Sequence, residues 1–236
     1  MGKTLLAFDL YGTLLSTASI AKALAAHYGI KKAESMQGVW RKYQMEYTWR
    51  LNSMKQYEDF EQLTRKSLLH TLAEHGVEMK ADGVDSLMQA YDGLSTFPDV
   101  VPALEMLEKV SDLECVVFSN GTPKMIENSV NRSLDLRSVS TAFSRLISVD
   151  HMRRFKPHPE VYRHLAQCVE MPGQESQIWL ISSNPFDVVG ARAVGMNAAW
   201  VDRAGNGWQD KLGLEPTTII RGLEELIELV KSFKTP

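Results

Sequence analysis

The chain has 236 residues, of which 44% are apolar and 23% charged, with a formal net charge of −3. That length suits one large domain or a core carrying a smaller insert, with ample apolar material for a buried centre. The slightly acidic balance excludes a broad basic surface for nucleic acid or anionic lipid, so any cationic site must be local.

The first apolar run, Leu5–Phe8 in "TLLAFDLYGTLLS", stops at Asp9. It is too short for a signal peptide or a spanning helix, and a cytoplasmic protein is the expectation. Continuous apolarity without alternation fits a strand buried on both faces of a parallel sheet. From Ala18 to about Tyr91 the pattern changes to successive amphipathic helices. Met36, Trp40, Tyr43 and Tyr47 recur on one face and Arg41, Met45 and Thr48 on another; Phe60, Leu63 and Ser67, then Leu68 and Leu72, continue the pattern.

Strand character returns at Glu114–Phe118, followed by a helix that Pro123 opens and that runs through Val130. A weaker apolar run covers Leu146–Val149. Ile178–Ile181 is followed by a helix from Pro185 to Gly195, and Ala198–Val201 is the next strand. "AGNGW" at 204–208 reads as a turn. Ile220, Leu223, Ile227 and Val230 predict one docking helix at the C-terminal end. Strands alternating with helices predict a doubly wound α/β core with a parallel sheet, and the helices between the first and second strands predict a lid over it. Cys115 and Cys168 stand apart in apolar contexts and are expected as buried free thiols. The six histidines show no metal spacing, and neither a metal nor a cofactor is expected.

Chemistry concentrates where the predicted strands end. The first ends on Asp9, the second on Ser119 and Asn120, and Ile178–Ile181 on Ser182, Ser183 and Asn184, with Asp187 a turn later. Lys156 follows the weak run in "RRFKPHPEVY". Ligands of open parallel sheets bind beyond the carboxyl ends of the strands, so these side chains are predicted to share one pocket. Taken singly, each has a bland reading: Asp9 as a turn residue, Ser182 to Asn184 as a helix cap, Arg41 as a solvated charge, Met45 and Phe60 as core. Their joint occurrence carries the functional reading.

The strings "FDLYGTL", "FSNGTP", "KPHPEVY" and "SSNPFDVVGAR" resemble the four motifs of the haloacid dehalogenase superfamily. "VWRKYQMEYTWRLNSMKQYEDFEQLT" is similar to the cap of its L-2-haloacid dehalogenases (type II), and the resemblance covers Leu5 to about Val201. It implies a Rossmann-like core, residues 1–15 and 98–236, with a helical cap inserted after the first strand, residues 16–97. It also implies hydrolysis of a small 2-haloalkanoate through a covalent ester on Asp9. Superfamily phosphatases carry D-x-D-x-T here, the second acid protonating the leaving group. This chain has Tyr11 at that place, and a departing halide needs no proton. Where the phosphatases cluster metal-binding acids, it has Ser182, Ser183 and Asn184.

The resemblance further implies roles. Ser119 and the backbone at Leu10 and Tyr11 would bind the substrate carboxylate with Arg41, and the halide would lie near Arg41 and Asn120. Lys156 would keep Asp9 ionised, Thr13 would orient it, and Ser182, Asn184 and Asp187 would position water. Tyr162, closing "KPHPEVY", belongs to the same catalytic set. Tyr11, Met45, Phe60 and Phe186 would line the alkyl pocket; close relatives carry Trp at the place of Phe186, so a slightly larger pocket is implied. The aromatic-rich cap helices suggest a homodimer. Two other functions are weighed: a Mg²⁺-dependent phosphatase of the same superfamily, and a non-catalytic relative that binds a small carboxylate.

Overall fold

The structure, a computed structural model, describes residues 4–232. Six strands, β1 (Thr4–Phe8), β2 (Leu113–Ser119), β3 (Phe143–Ser148), β4 (Ile178–Ser182), β5 (Asn197–Val201) and β6 (Thr218–Ile220), form one parallel sheet. Their order is β3-β2-β1-β4-β5-β6. β1 pairs with β2 on one side and β4 on the other, and Leu5 to Phe8 are all buried, which is why that run has no polar alternation. Each large side chain buried there stabilises the fold by about 1.5–3 kcal/mol. The winding reverses between β1 and β4, and at such a switch point the flanking loops part and leave a crevice. Asp9 and Ser182 stand at its rim.

Between β1 and β2 the chain is helical: α1 (Ala21–Tyr28), α2 (Ile30–Met54), α3 (Phe60–Glu74) and α4 (Ala81–Tyr91), then α5 (Val100–Leu107). Gly29, at φ +77°, separates α1 from α2, and the Asp59 carboxylate caps α3 by accepting the Gln62 N–H at 2.9 Å. α2 buries Ala33, Met36, Trp40, Gln44, Met45 and Thr48. This stripe departs from the expected one: Tyr43 and Tyr47 are only half-buried, because both lie over His70 of α3 (ring centroids 3.7 and 5.9 Å) beside the solvent edge. The polar Gln44 takes the buried place instead.

The remaining helices are α6 (Pro123–Arg132), α7 (Leu134–Ser138), α8 (Pro159–Cys168), α9 (Pro185–Ala193) and α10 (Leu226–Ser232). α6, α8 and α9 each open on a proline, whose missing N–H costs nothing in the first turn. Three expectations need correction. β3 starts at Phe143, three residues before Leu146; it is an edge strand, and Leu146 is exposed, so its apolar run understates its length. Ile220 belongs to β6, paired with Val201, rather than to the C-terminal helix; only Leu223, Leu226 and Val230 dock fully. The β-branched Thr217–Ile220 stretch explains the strand, which is too short to register against a helical spacing. Cys168 is half-buried, beside His164 (Sγ to Nε2 3.1 Å), whereas Cys115 is buried as expected; both thiols are free. Among the described residues no helix is long and apolar enough to cross a membrane.

Candidate active site

Asp9 follows β1 directly and its N–H donates to the carbonyl of Ile181 on β4, which fixes the backbone at the crevice. Asp9 is 6% exposed, and both of its carboxylate oxygens accept hydrogen bonds. Oδ2 accepts from Thr13 Oγ1 at 2.8 Å and from Asn184 Nδ2 at 2.7 Å; Oδ1 accepts from Lys156 Nζ at 3.1 Å. Thr13 is held in turn, its hydroxyl oxygen accepting the N–H of Ser183 at 2.9 Å. Ser182 Oγ accepts the N–H of Asn184 at 3.1 Å, and so shapes the start of α9 that presents Asn184.

Lys156 is 1% exposed and spends all three of its N–H groups: on Asp9, on the Phe118 carbonyl at 2.8 Å and on Asp187 Oδ2 at 2.8 Å. A buried ammonium is tolerated because two carboxylates and a carbonyl replace its water. Asp187 is fully buried; its second oxygen accepts from Tyr162 at 2.8 Å. Burial pushes the Asp187 carboxyl up to about 6, against the pull of Lys156, and the Asp9 charge adds to the rise. Burial likewise raises the Tyr162 phenol, so it remains a donor. Gly190 on α9 makes room for this pair, since a Cβ there would meet the Tyr162 ring and lie 2.7 Å from Pro157 Cβ.

Arg41 reaches the same group from α2. Its Nη2 donates to the Tyr11 carbonyl at 2.9 Å and to Asn184 Oδ1 at 3.3 Å, and its Nη1 to Gln44 Oε1 at 2.7 Å. Among the described residues all of its acceptors are neutral, so its charge stays available to an anion. Gly12 permits this convergence. Its φ is +94°, and a Cβ would lie 3.3 Å from both terminal atoms of Asn184 and 3.5 Å from Arg41 Nη2. Gly12→Ala is therefore expected to cost about 1–2 kcal/mol of stability from backbone strain alone, measured by urea unfolding. A variant as stable as the parent would mean that the turn has another conformation.

The other expected residues fall into three groups. Ser119, 1% exposed, accepts the Gly121 N–H at 3.1 Å, leaving its own hydroxyl proton to donate, and Asn120 Oδ1 accepts the Lys156 N–H at 2.9 Å. The N–H groups of Leu10 and Tyr11 have no partner among the described residues, and the Leu10 side chain is buried. Tyr11 stacks on Phe60 (centroids 5.8 Å) and its hydroxyl shares a hydrogen bond with Ser129 at 3.0 Å. Burial raises this phenol too, so Tyr11 offers no acid in the working pH range. Met45 is buried on α2 one turn beyond Arg41, whereas Phe186 is half-buried and packs edge-on against Trp49 at 5.6 Å.

Three residues were missed by the sequence reading. Gln44 and Tyr91 pack about Arg41, and Asn52 clamps the backbone of Phe155, donating to its carbonyl at 2.7 Å and accepting its N–H at 3.0 Å. The spacing of Gln44, three residues after Arg41 on one helix face, was the available signal. Beside Gly12 and Ser183 lies a cavity of about 280 Å³. Arg203 forms one wall, paired with Asp99 (2.9 Å) and donating to Ser183 Oγ at 2.9 Å.

Residues 3–195 match the family described as haloacid dehalogenase-like hydrolase. The chain is 36% identical to the (S)-2-haloacid dehalogenase H-109 of Pseudomonas putida over 93% of its own length and 94% of that protein's. It is 33% identical to the haloacetate dehalogenase H-2 of Moraxella sp. (strain B), over 95% and 96% of the two chains. Its backbone is similar to the solved L-2-haloacid dehalogenase of Xanthobacter autotrophicus with chloropropionic acid covalently bound: TM-score 0.86, 30% identity, 98% and 99% of the two chains. With sequence and backbone agreeing over almost the full length, the chain belongs to the haloacid dehalogenase-like hydrolases and, among them, to the (S)-2-haloacid dehalogenases.

Proposed function

We propose that the protein hydrolyses short (S)-2-haloacids to (R)-2-hydroxyacids and halide, with Asp9 as nucleophile and without a metal. One observation carries the mechanism: a buried carboxylate at the switch point, oriented by Thr13 and Asn184, is charge-paired with Lys156 and lies beside an Arg41 whose acceptors are all neutral. The substrate carboxylate is taken by the N–H groups of Leu10 and Tyr11 and the Ser119 hydroxyl. Asp9 attacks C2 from behind the halogen; the new O–C2 bond forms as the halide leaves with the bonding pair towards Arg41 and Asn120. Water, placed by Asn184 with Ser182 and Asp187, then adds to Cγ of Asp9. The Cγ–O bond to the product breaks, one water proton ends on the product hydroxyl and the other in solution. Tyr11, Met45, Phe60 and Phe186 face the alkyl group. Metal independence is supported by the donor set: the oxygens of Asp9 and Asp187 are already engaged by Lys156, Tyr162, Thr13 and Asn184.

In this reading residues 16–97 act as a cap that brings Arg41 to a core made of residues 1–15 and 98–236, the protein works in the cytoplasm, and two copies pair through the cap helices. Exposed Trp49 and Leu69 on α2 and α3 support that pairing, and the mass in solution tests it.

The reading is tested with both enantiomers of 2-chloropropionate, with and without a chelator. Chloride is expected from the (S) form alone, with (R)-lactate as product and no effect of chelation. With enzyme in large excess in ¹⁸O-water, the lactate should carry ordinary oxygen, and the peptide holding Asp9 should gain label after many turnovers. Label in the single-turnover product would mean direct attack by water at C2. Mg²⁺-stimulated cleavage of phosphate esters would overturn the reading altogether.

A further inference from the structure

The structure assigns a positioning role to Gln44: it holds the Arg41 guanidinium in line for the departing halide while leaving its charge uncompensated. This rests on the proposed dehalogenation, with Arg41 as the halide's partner. Gln44 is 1% exposed, and its amide is held at both ends. The Thr64 hydroxyl donates to the Phe60 carbonyl at 2.6 Å, so towards Gln44 its oxygen can only accept, and it takes the Nε2–H at 2.8 Å. Nε2 must therefore face Thr64, and Oε1 must face Arg41, where it accepts from Nη1 at 2.7 Å. The Tyr91 hydroxyl lies against both ends of the amide, 3.1 Å from Nε2 and 3.2 Å from Oε1. Trp40 anchors Thr64 from the other side, its Nε1–H donating to the Thr64 carbonyl at 2.9 Å.

One guanidinium nitrogen is thus fixed from α2, α3 and α4 through Gln44, and the other from the core through Tyr11 and Asn184. The neutrality of Gln44 is central. A carboxylate at this position would orient Arg41 equally well but would neutralise it, and would set an oxygen without a proton against the Thr64 oxygen. Methionine would keep the volume and remove the acceptor that Gln44 offers to Nη1. The two substitutions therefore separate charge from orientation.

A purely structural role would lower turnover of all substrates alike. Loss of halide stabilisation instead penalises the poorer leaving group, because chloride departure leans more on the guanidinium than bromide departure. Gln44→Met is expected to lower kcat about tenfold or more on 2-chloropropionate, and to raise the bromide-to-chloride kcat ratio at least threefold over the parent, with KM changing less. Gln44→Glu is expected to raise the inhibition constant of added bromide at least tenfold, since the new carboxylate competes for Arg41. If either variant is too unstable to assay, Tyr91→Phe, which removes only a hydroxyl, should move the kcat ratio in the same direction by a smaller factor. Unchanged ratios in folded Gln44→Met and Tyr91→Phe proteins would overturn the positioning role. Absence of halide release by the parent protein would instead overturn the dehalogenase reading.

Discussion

Replacing Asp9 by Asn is expected to reduce halide release by about 10⁴-fold or more, the scale seen when a nucleophile is removed from a site that keeps its other parts. The carboxamide oxygen can take the place of Oδ2, accepting from Thr13 and Asn184, so the side chain should keep its orientation. Its NH₂ would then face the Lys156 ammonium, donor against donor, in the place of Oδ1. Lys156 retains Asp187 and the Phe118 carbonyl, so folding should survive with a modestly lower melting temperature. The measurement is halide release alongside a circular-dichroism melt, with intact-protein mass after incubation with substrate. A folded variant keeping more than about a hundredth of the activity would exclude Asp9 as the atom that bonds to carbon.

Lys156→Met is expected to be as inactive and also unstable, by about 3–5 kcal/mol at neutral pH, the usual cost of stripping the cation from buried partners. Asp9 and Asp187 would be left facing each other with no positive charge between them. The pair can then fold only by holding a proton that the unfolded chain releases. The folded variant binds more protons than the unfolded one above the ordinary carboxylate range, so its stability deficit should be largest near pH 7 and shrink as the pH falls towards about 4. Urea unfolding at several pH values checks this, and a deficit independent of pH would mean that Lys156 is not the counter-ion. The same sign is expected of the parent protein in milder form. Asp187 is raised from 3.8 to about 6 in the folded state, so its contribution to stability falls as the pH climbs through that interval. Turnover runs the other way: it should fall as the pH drops through about 6, where Asp187 takes up a proton and its hold on Lys156 weakens.

Much of this was legible in the linear sequence because it depends on local rules. Leu5–Phe8 is apolar without alternation because both faces of β1 are covered, and that mark is in the residues themselves. Pro123 and Pro185 announce helix starts, since their backbone suits only a first turn. The polar residues at the ends of the runs, Asp9, Ser119 and Ser182 to Asn184, could be read as converging because parallel strands carry their ends to one side. Features without a local mark were lost. β6 is three residues long, and its Ile220 fell on a spacing that suited a helix as well as a strand. Leu146 drew attention away from Phe143 because an edge strand shows one face to solvent.

Residue types and their periodicity were enough to place a carboxylate, a lysine and small polar groups at strand ends of an α/β sheet, since both are properties of short stretches. Which partners these groups take depends on packing between distant segments. Lys156 meets Asp9 across 147 residues, Asn184 meets it across 175, and Gln44 meets Tyr91 across 47. No short-range pattern encodes such distances. Gln44 and Thr64 read as ordinary polar residues of amphipathic helices until packing buries them, and burial is what obliges every donor there to find its acceptor.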